Sequence, residues 1–160
     1  MSCRNTGPEA DEQELMAIMD EILLQKSQGV SQETLDSLYL CAWNLYQQRK
    51  LDESETLFRF LSLWHAENKD YLLGLAAVYQ LKKKYHRAIA LYNAAHLIDP
   101  QELRPVLQMG YCHLLLKQKG KARTCFERVV SSSQNLQLRQ AAQDYLDGID
   151  GNKTENRQGV

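Results

Sequence analysis

From Leu38 to Gln134 one pattern of large and small side chains returns every 34 residues without an insertion. In the middle copy it runs Leu72, Leu75, Ala76, Tyr79, Ala88, Tyr92, Ala95 and Pro100. One period earlier the same positions hold Leu38, Cys41, Ala42, Leu45, Ser54, Phe58, Leu61 and Ala66. One period later they hold Val106, Met109, Gly110, His113, Ala122, Phe126, Val129 and Gln134. Small residues thus recur at Ala42, Ala76 and Gly110, and rings at Phe58, Tyr92 and Phe126. Two antiparallel helices approach closely only where one side chain is small enough to receive a large one from its neighbour.

A helix–turn–helix unit of this length and pattern is the tetratricopeptide repeat. Three gapless copies predict an all-α fold, with repeats at about 35–68, 69–102 and 103–134 stacked as a short right-handed solenoid over 33–134. The helix pairs are expected at about 33–48 with 52–66, 69–82 with 86–98, and 103–117 with 121–132. Pro100 halts one helix, and Pro105 falls in the first turn of the next, where its missing N–H costs little. Gly120 is expected to ease the turn inside the third repeat.

Upstream, Leu15, Ile18, Met19, Ile22 and Leu23 form an apolar helical stripe, so 10–30 reads as an amphipathic helix ended by Gly29. It can cap the first repeat, cross to a second subunit, or do both; the dimerisation residues are expected to be these five. Downstream, Leu138, Ala141, Ala142, Tyr145, Leu146 and Ile149 predict a capping helix over 135–149 that closes the open end of the stack. Residues 1–9, with a break at Gly7-Pro8, read as disordered, and 150–160 as a flexible tail.

A chain of 160 residues with 44% apolar content is expected to hold one helical domain. Its 19 basic and 20 acidic residues leave no strongly basic face of the kind nucleic acid requires. The charge is uneven: residues 1–40 carry eight acids against Arg4 and Lys26. No apolar run approaches the ~20 residues needed to span a bilayer, and the polar N-terminal stretch is not expected to act as a secretory signal. The four cysteines, Cys3, Cys41, Cys112 and Cys125, show no metal-binding spacing. Cys41, at a core position of its repeat, is expected as a buried thiol in a reducing compartment.

Catalytic arrangements are not apparent, and no metal or cofactor is expected. His65, His86, His96 and His113 fall on different helices, and His113 occupies a packing position of its repeat. Cys112 and His113 are adjacent, so on a helix their side chains diverge by about 100°. No phosphate loop or nucleophile elbow is present. The basic runs Lys82-Lys83-Lys84 and Lys117–Lys121 fall on turns and read as solvated residues, the alternative being a contact with an acidic partner.

In a stack of such repeats the first helix of each pair lines the concave wall. The inward positions are Asp36, Tyr39, Trp43 and Tyr46; then Asp70, Leu73, Ala77 and Gln80; then Arg104, Leu107, Tyr111 and Leu114. Repeat adaptors that clamp a terminal carboxylate need Lys, Asn and Arg there. This wall offers Tyr39, Trp43, Gly74 and Gln108 instead, and only Arg104 fits. An aromatic and aliphatic channel suits extended peptides with proline and leucine anchors, because a rigid ligand loses less entropy on docking. The groove residues are therefore expected to be Tyr39, Trp43, Tyr46, Leu73, Ala77, Gln80, Arg104, Leu107, Tyr111 and Leu114.

Residues 51–85, LDESETLFRFLSLWHAENKDYLLGLAAVYQLKKKY, and 104–129, RPVLQMGYCHLLLKQKGKARTCFERV, resemble the class II translocator chaperones of bacterial type III secretion, in particular the invasion-type subgroup. The FRFL and GLAAVYQLK strings carry most of this similarity. The resemblance implies a small cytoplasmic, non-enzymatic protein that binds two pore-forming translocators before export through a PxLxxP-like segment in the concave groove. It also implies a homodimer formed through the N-terminal helical region. A second role implied by it is coactivation of an AraC-type transcription regulator, and a generic repeat scaffold is the remaining alternative.

Overall fold

The computed structural model describes residues 8–24 and 29–155, with side chains described from Gln13 to Glu21 and from Gly29 to Gly151. The described residues form eight helices: α1 Pro8–Leu24, α2 Gln32–Gln47, α3 Leu51–Trp64, α4 Lys69–Leu81, α5 Tyr85–Ile98, α6 Arg104–Leu115, α7 Lys119–Ser132 and α8 Leu136–Glu155. No strand occurs among the described residues. The chain divides into two compact units, 1–66 and 67–160.

In the first unit α2 packs on α3. Ser31 caps α2, its hydroxyl oxygen accepting from the Thr34 N–H at 3.2 Å. The buried face of α2 is Leu35, Leu38, Ala42 and Leu45, against Leu57, Phe58 and Leu61 of α3. Ala42 and Ser54 are both fully buried, and the Ser54 hydroxyl donates to the Ala42 carbonyl at 2.8 Å. Two small residues meeting there let the backbones approach closely enough for a side chain to reach the neighbouring main chain.

In the second unit each of α4 to α7 packs on the helix that follows it. Asn68 caps α4, accepting from the N–H groups of Asp70 and Tyr71. Pro105 sits at the start of α6, as its missing donor allows. Ala76, Ala88 and Ala122 are fully buried at the close-packing positions. Lys69 pairs with Asp99 at 2.5 Å, joining the start of α4 to the end of α5. The final helix buries Ala142, Leu146 and Ile149, and the Tyr145 ring stacks on Phe126 at 4.8 Å. Arg123 of α7 also pairs with Asp150 of α8.

The turns inside the three repeats are alike. Arg49, Lys83 and Lys117 have φ of 64°, 59° and 59°, and they stand one period apart. In each turn the next N–H reaches back five residues: Lys50 to Leu45 at 2.9 Å, Lys84 to Tyr79 at 2.8 Å, and Gln118 to His113 at 2.8 Å. This is the Schellman closure, which needs a left-handed residue.

Several expectations are corrected. Gly120 lies inside α7 and has no part in that left-handed turn, which uses Lys117. The last helix continues through Glu155, so 150–155 are helical where a flexible tail was expected; 156–160 lie outside the described residues. Helix α1 already begins at Pro8, and the rest of the segment expected to be disordered lies outside the described residues. Cys41 is half-buried and disulfide-bonded where a buried thiol was expected.

Candidate functional site

The three aromatics of α2 stand on one side of the helix because spacings of four and three residues return nearly to the same face. Tyr39, Trp43 and Tyr46 are all half-buried, so they are neither sealed between helices nor fully in water. Their rings hold one another edge-on: Tyr39–Trp43 at 6.3 Å and Trp43–Tyr46 at 5.2 Å. Fully buried Phe58 of α3 lies beneath, 6.1 Å from Tyr39 and 5.2 Å from Trp43. T-shaped pairs of this kind contribute about 0.5–1.5 kcal/mol beyond their buried area. The result is a rigid, partly exposed aromatic row that needs little ordering to receive an apolar ligand.

In the second unit, Leu73, Ala77 and Gln80 of α4 and Tyr111 and Leu114 of α6 are likewise half-exposed. Two expected groove residues differ. Leu107 is only 9% exposed and belongs to the core. Arg104 is exposed, but its guanidinium is already engaged: Nε donates to Glu102 Oε1 at 2.9 Å and Nη2 to Glu102 Oε2 at 2.5 Å. Those hydrogen bonds hold the Glu102 carboxyl below its ordinary range. Tyr111 lies 5.8 Å from Tyr145, so α8 brings a further ring to this neighbourhood. Burial, and then Tyr111, raise the Tyr145 phenol pKa.

A polar chain runs through the same face. The Tyr92 hydroxyl donates to Gln80 Oε1 at 2.9 Å, and the Cys112 thiol donates to the same oxygen at 3.6 Å. Gln80 Nε2 donates in turn to Gln108 Oε1 at 3.3 Å. Burial pushes the Cys112 thiol pKa up to about 11, so it keeps its proton at neutral pH. Tyr92, Gln108 and Cys112 were not anticipated as partners of Gln80. A signal was present in the sequence: Tyr92 stands where the neighbouring repeats have Phe58 and Phe126, and a buried phenol requires a hydrogen-bond partner.

On the N-terminal helix, Leu15 is buried, Ile18 and Met19 are half-buried and Met16 is exposed. The side chains of Ile22 and Leu23 lie outside the described residues. Two of the four histidines take structural partners: buried His96 Nδ1 is 3.0 Å from the Glu102 carbonyl, and His113 Nδ1 is 2.7 Å from Gln118 Oε1. Among the described residues no group of three His, Cys, Asp or Glu side chains could hold a metal ion, and no helix is long and apolar enough to cross a membrane.

Tetratricopeptide-repeat models match residues 70–100 and 104–136. The chaperone protein SicA of Salmonella typhimurium is 40% identical over 139 residues, covering 87% of this chain and 84% of SicA. PcrH, solved in complex with the chaperone-binding region of PopD, superposes with a TM-score of 0.72 at 28% identity, over 78% of this chain and 97% of PcrH. The Yersinia enterocolitica chaperone SycD, solved with a peptide of the translocator YopD, superposes with a TM-score of 0.72 at 25% identity, over 77% of this chain and 97% of SycD. With repeat-type helix pairs in both units and similarity extending over most of its length, the chain belongs to the tetratricopeptide-repeat family of class II type III secretion translocator chaperones.

Proposed function

We propose that this protein is a chaperone of type III secretion translocators, holding an extended proline- and leucine-bearing segment of PxLxxP type in its groove until export. Two translocators are its cargo, as the family resemblance implies, and sequestering their apolar segments prevents aggregation and premature contacts. The observation that carries the reading is the half-exposed row Tyr39–Trp43–Tyr46, held edge-on over Phe58. A rigid aromatic surface suits an already extended ligand, since neither side has much freedom left to lose on docking. The α4–α6 face, with Leu73, Ala77, Tyr111 and Leu114, offers further apolar contact in the second unit.

Buried Leu15 is covered by its own chain, whereas exposed Met16 and half-buried Ile18 and Met19 leave apolar surface on α1, which supports a homodimer made through that helix. Residence in the bacterial cytoplasm and pairing with an AraC-type regulator after cargo release belong to the same proposal; a reporter assayed with and without cargo tests the latter. Co-expression with a translocator tests the main reading. Wild-type protein should keep cargo soluble, and Tyr39→Ala/Tyr46→Ala should lose cargo while remaining folded. Retention of cargo by a folded double variant would refute the groove assignment.

A further inference from the structure

On the half-exposed face of the second unit that carries Leu73, Ala77, Tyr111 and Leu114, the carboxamides of Gln80 and Gln108 meet across α4 and α6. The direction of that contact is set from below. Gln80 Oε1 accepts from the Tyr92 hydroxyl and the Cys112 thiol, which turns Gln80 Nε2 outward to Gln108. Gln108 Oε1 is thereby occupied as an acceptor, leaving its Nε2 hydrogens directed away from the pair. Gln108 Nε2 has no hydrogen-bond partner among the described residues, nor is it one of their buried unsatisfied atoms. The face thus displays a donor of fixed orientation amid Leu73, Ala77, Leu114 and Tyr111.

A peptide covering this face strips water from Gln108 Nε2. An amide left bare there costs more than a typical hydrogen bond returns, so a ligand with an acceptor at that point is favoured. Proline-bearing segments are poor in N–H donors and keep every carbonyl. We propose that Gln108 is the main-chain reading residue of the groove: its Nε2 donates to a backbone carbonyl of the bound segment, with Gln80 and Tyr92 as positioning residues. This rests on the peptide-binding reading above and adds to it a specific polar contact.

The test uses the full-length protein and a fluorescein-labelled twelve-residue peptide with a Pro-x-Leu-x-x-Pro core, followed by fluorescence polarisation. A second set of peptides replaces single backbone amides by esters, which weakens the carbonyl acceptor of the replaced linkage. Gln108→Leu and Gln108→Met should each weaken binding about three- to tenfold, with unchanged melting temperature. Tyr92→Phe should weaken it less. One ester position should lower wild-type affinity about threefold and have no effect in Gln108→Leu, a coupling that a merely structural role would not produce. Wild-type affinity in both Gln108 variants, or the same ester effect in wild type and Gln108→Leu, overturns the inference and leaves the peptide-binding reading standing. Failure of the wild-type protein to bind any of the peptides removes both.

Discussion

Gly110 of α6 lies against the ring of Phe126 of α7, so closely that a Cβ placed on Gly110 would stand 2.6 Å from Phe126 Cε1. The ring cannot withdraw easily, because it is fully buried and stacked on Tyr145 of α8 from the other side. Gly110→Ala gains about 0.5–1 kcal/mol of helix propensity but overpacks a three-layer contact, which typically costs about 1–3 kcal/mol. The net expectation is destabilisation in urea denaturation. Gly110→Ala/Phe126→Leu should recover part of that loss, since the smaller side chain vacates the space the new methyl needs.

The intra-repeat turns place Arg49, Lys83 and Lys117 at positive φ. A side chain at that conformation is strained by about 1 kcal/mol relative to glycine. Lys83→Gly and Lys117→Gly should therefore raise stability by roughly 0.5–1 kcal/mol each, despite the added freedom of the unfolded chain. Gly120, inside α7 with open space around its Cα, should behave oppositely: Gly120→Ala should stabilise. Melting temperatures of the three variants check both statements.

Within the aromatic row the residues differ in what they support. Trp43 touches Tyr39, Tyr46 and Phe58, whereas the ring contact shown by Tyr46 is to Trp43. Trp43→Ala should lower both stability and cargo binding, by about 3–5 kcal/mol at most for the former. Tyr46→Ala should weaken cargo binding about tenfold or more while costing roughly 1 kcal/mol of stability. Paired urea titrations and peptide-binding isotherms separate the two effects.

Acid sensitivity follows from two carboxylates. Hydrogen bonds from Lys69 hold the Asp99 carboxyl below its usual range, and those from Arg104 do the same for Glu102. A depressed folded-state pKa contributes stability above the unfolded value of about 4 and loses it as pH falls through the folded value. Stability should therefore be level from pH 7 to 5 and decline below about pH 4. Glu102→Gln should flatten part of that decline, measured as the urea midpoint against pH. Both ion pairs have exposed members, so added salt should shrink the difference.

Cysteine chemistry offers a further check. Cys112 is fully buried with a pKa of about 11, and burial raises the Cys125 pKa as well. At pH 8 the folded protein should leave Cys112 unmodified by a thiol reagent, and urea should expose it in step with loss of helicity. Modification of Cys112 in the native state would show that α6 opens locally.

The gapless recurrence from Leu38 to Gln134 dictated helix pairs and their order, because small-on-large contacts at a fixed period allow nothing else to bury those residues together. Helices α2 to α7 accordingly fall within about two residues of their expected bounds. The period also selected the helix face that carries Tyr39, Trp43 and Tyr46, since facing is a property of spacing within one helix. Depth is another matter. Leu107 and Leu114 share a face by count, yet one is core and the other half-exposed, because burial depends on what neighbouring helices bring to each spot. Arg104 was legible as a cation but not as the partner of Glu102. Left-handed turns fell on Arg49, Lys83 and Lys117 without a glycine to announce them, being imposed by backbone closure onto Leu45, Tyr79 and His113. The Tyr92–Gln80–Gln108 chain joins three helices; local periodicity cannot specify such a link, since it exists only once packing has set the distance and rotamer of each member.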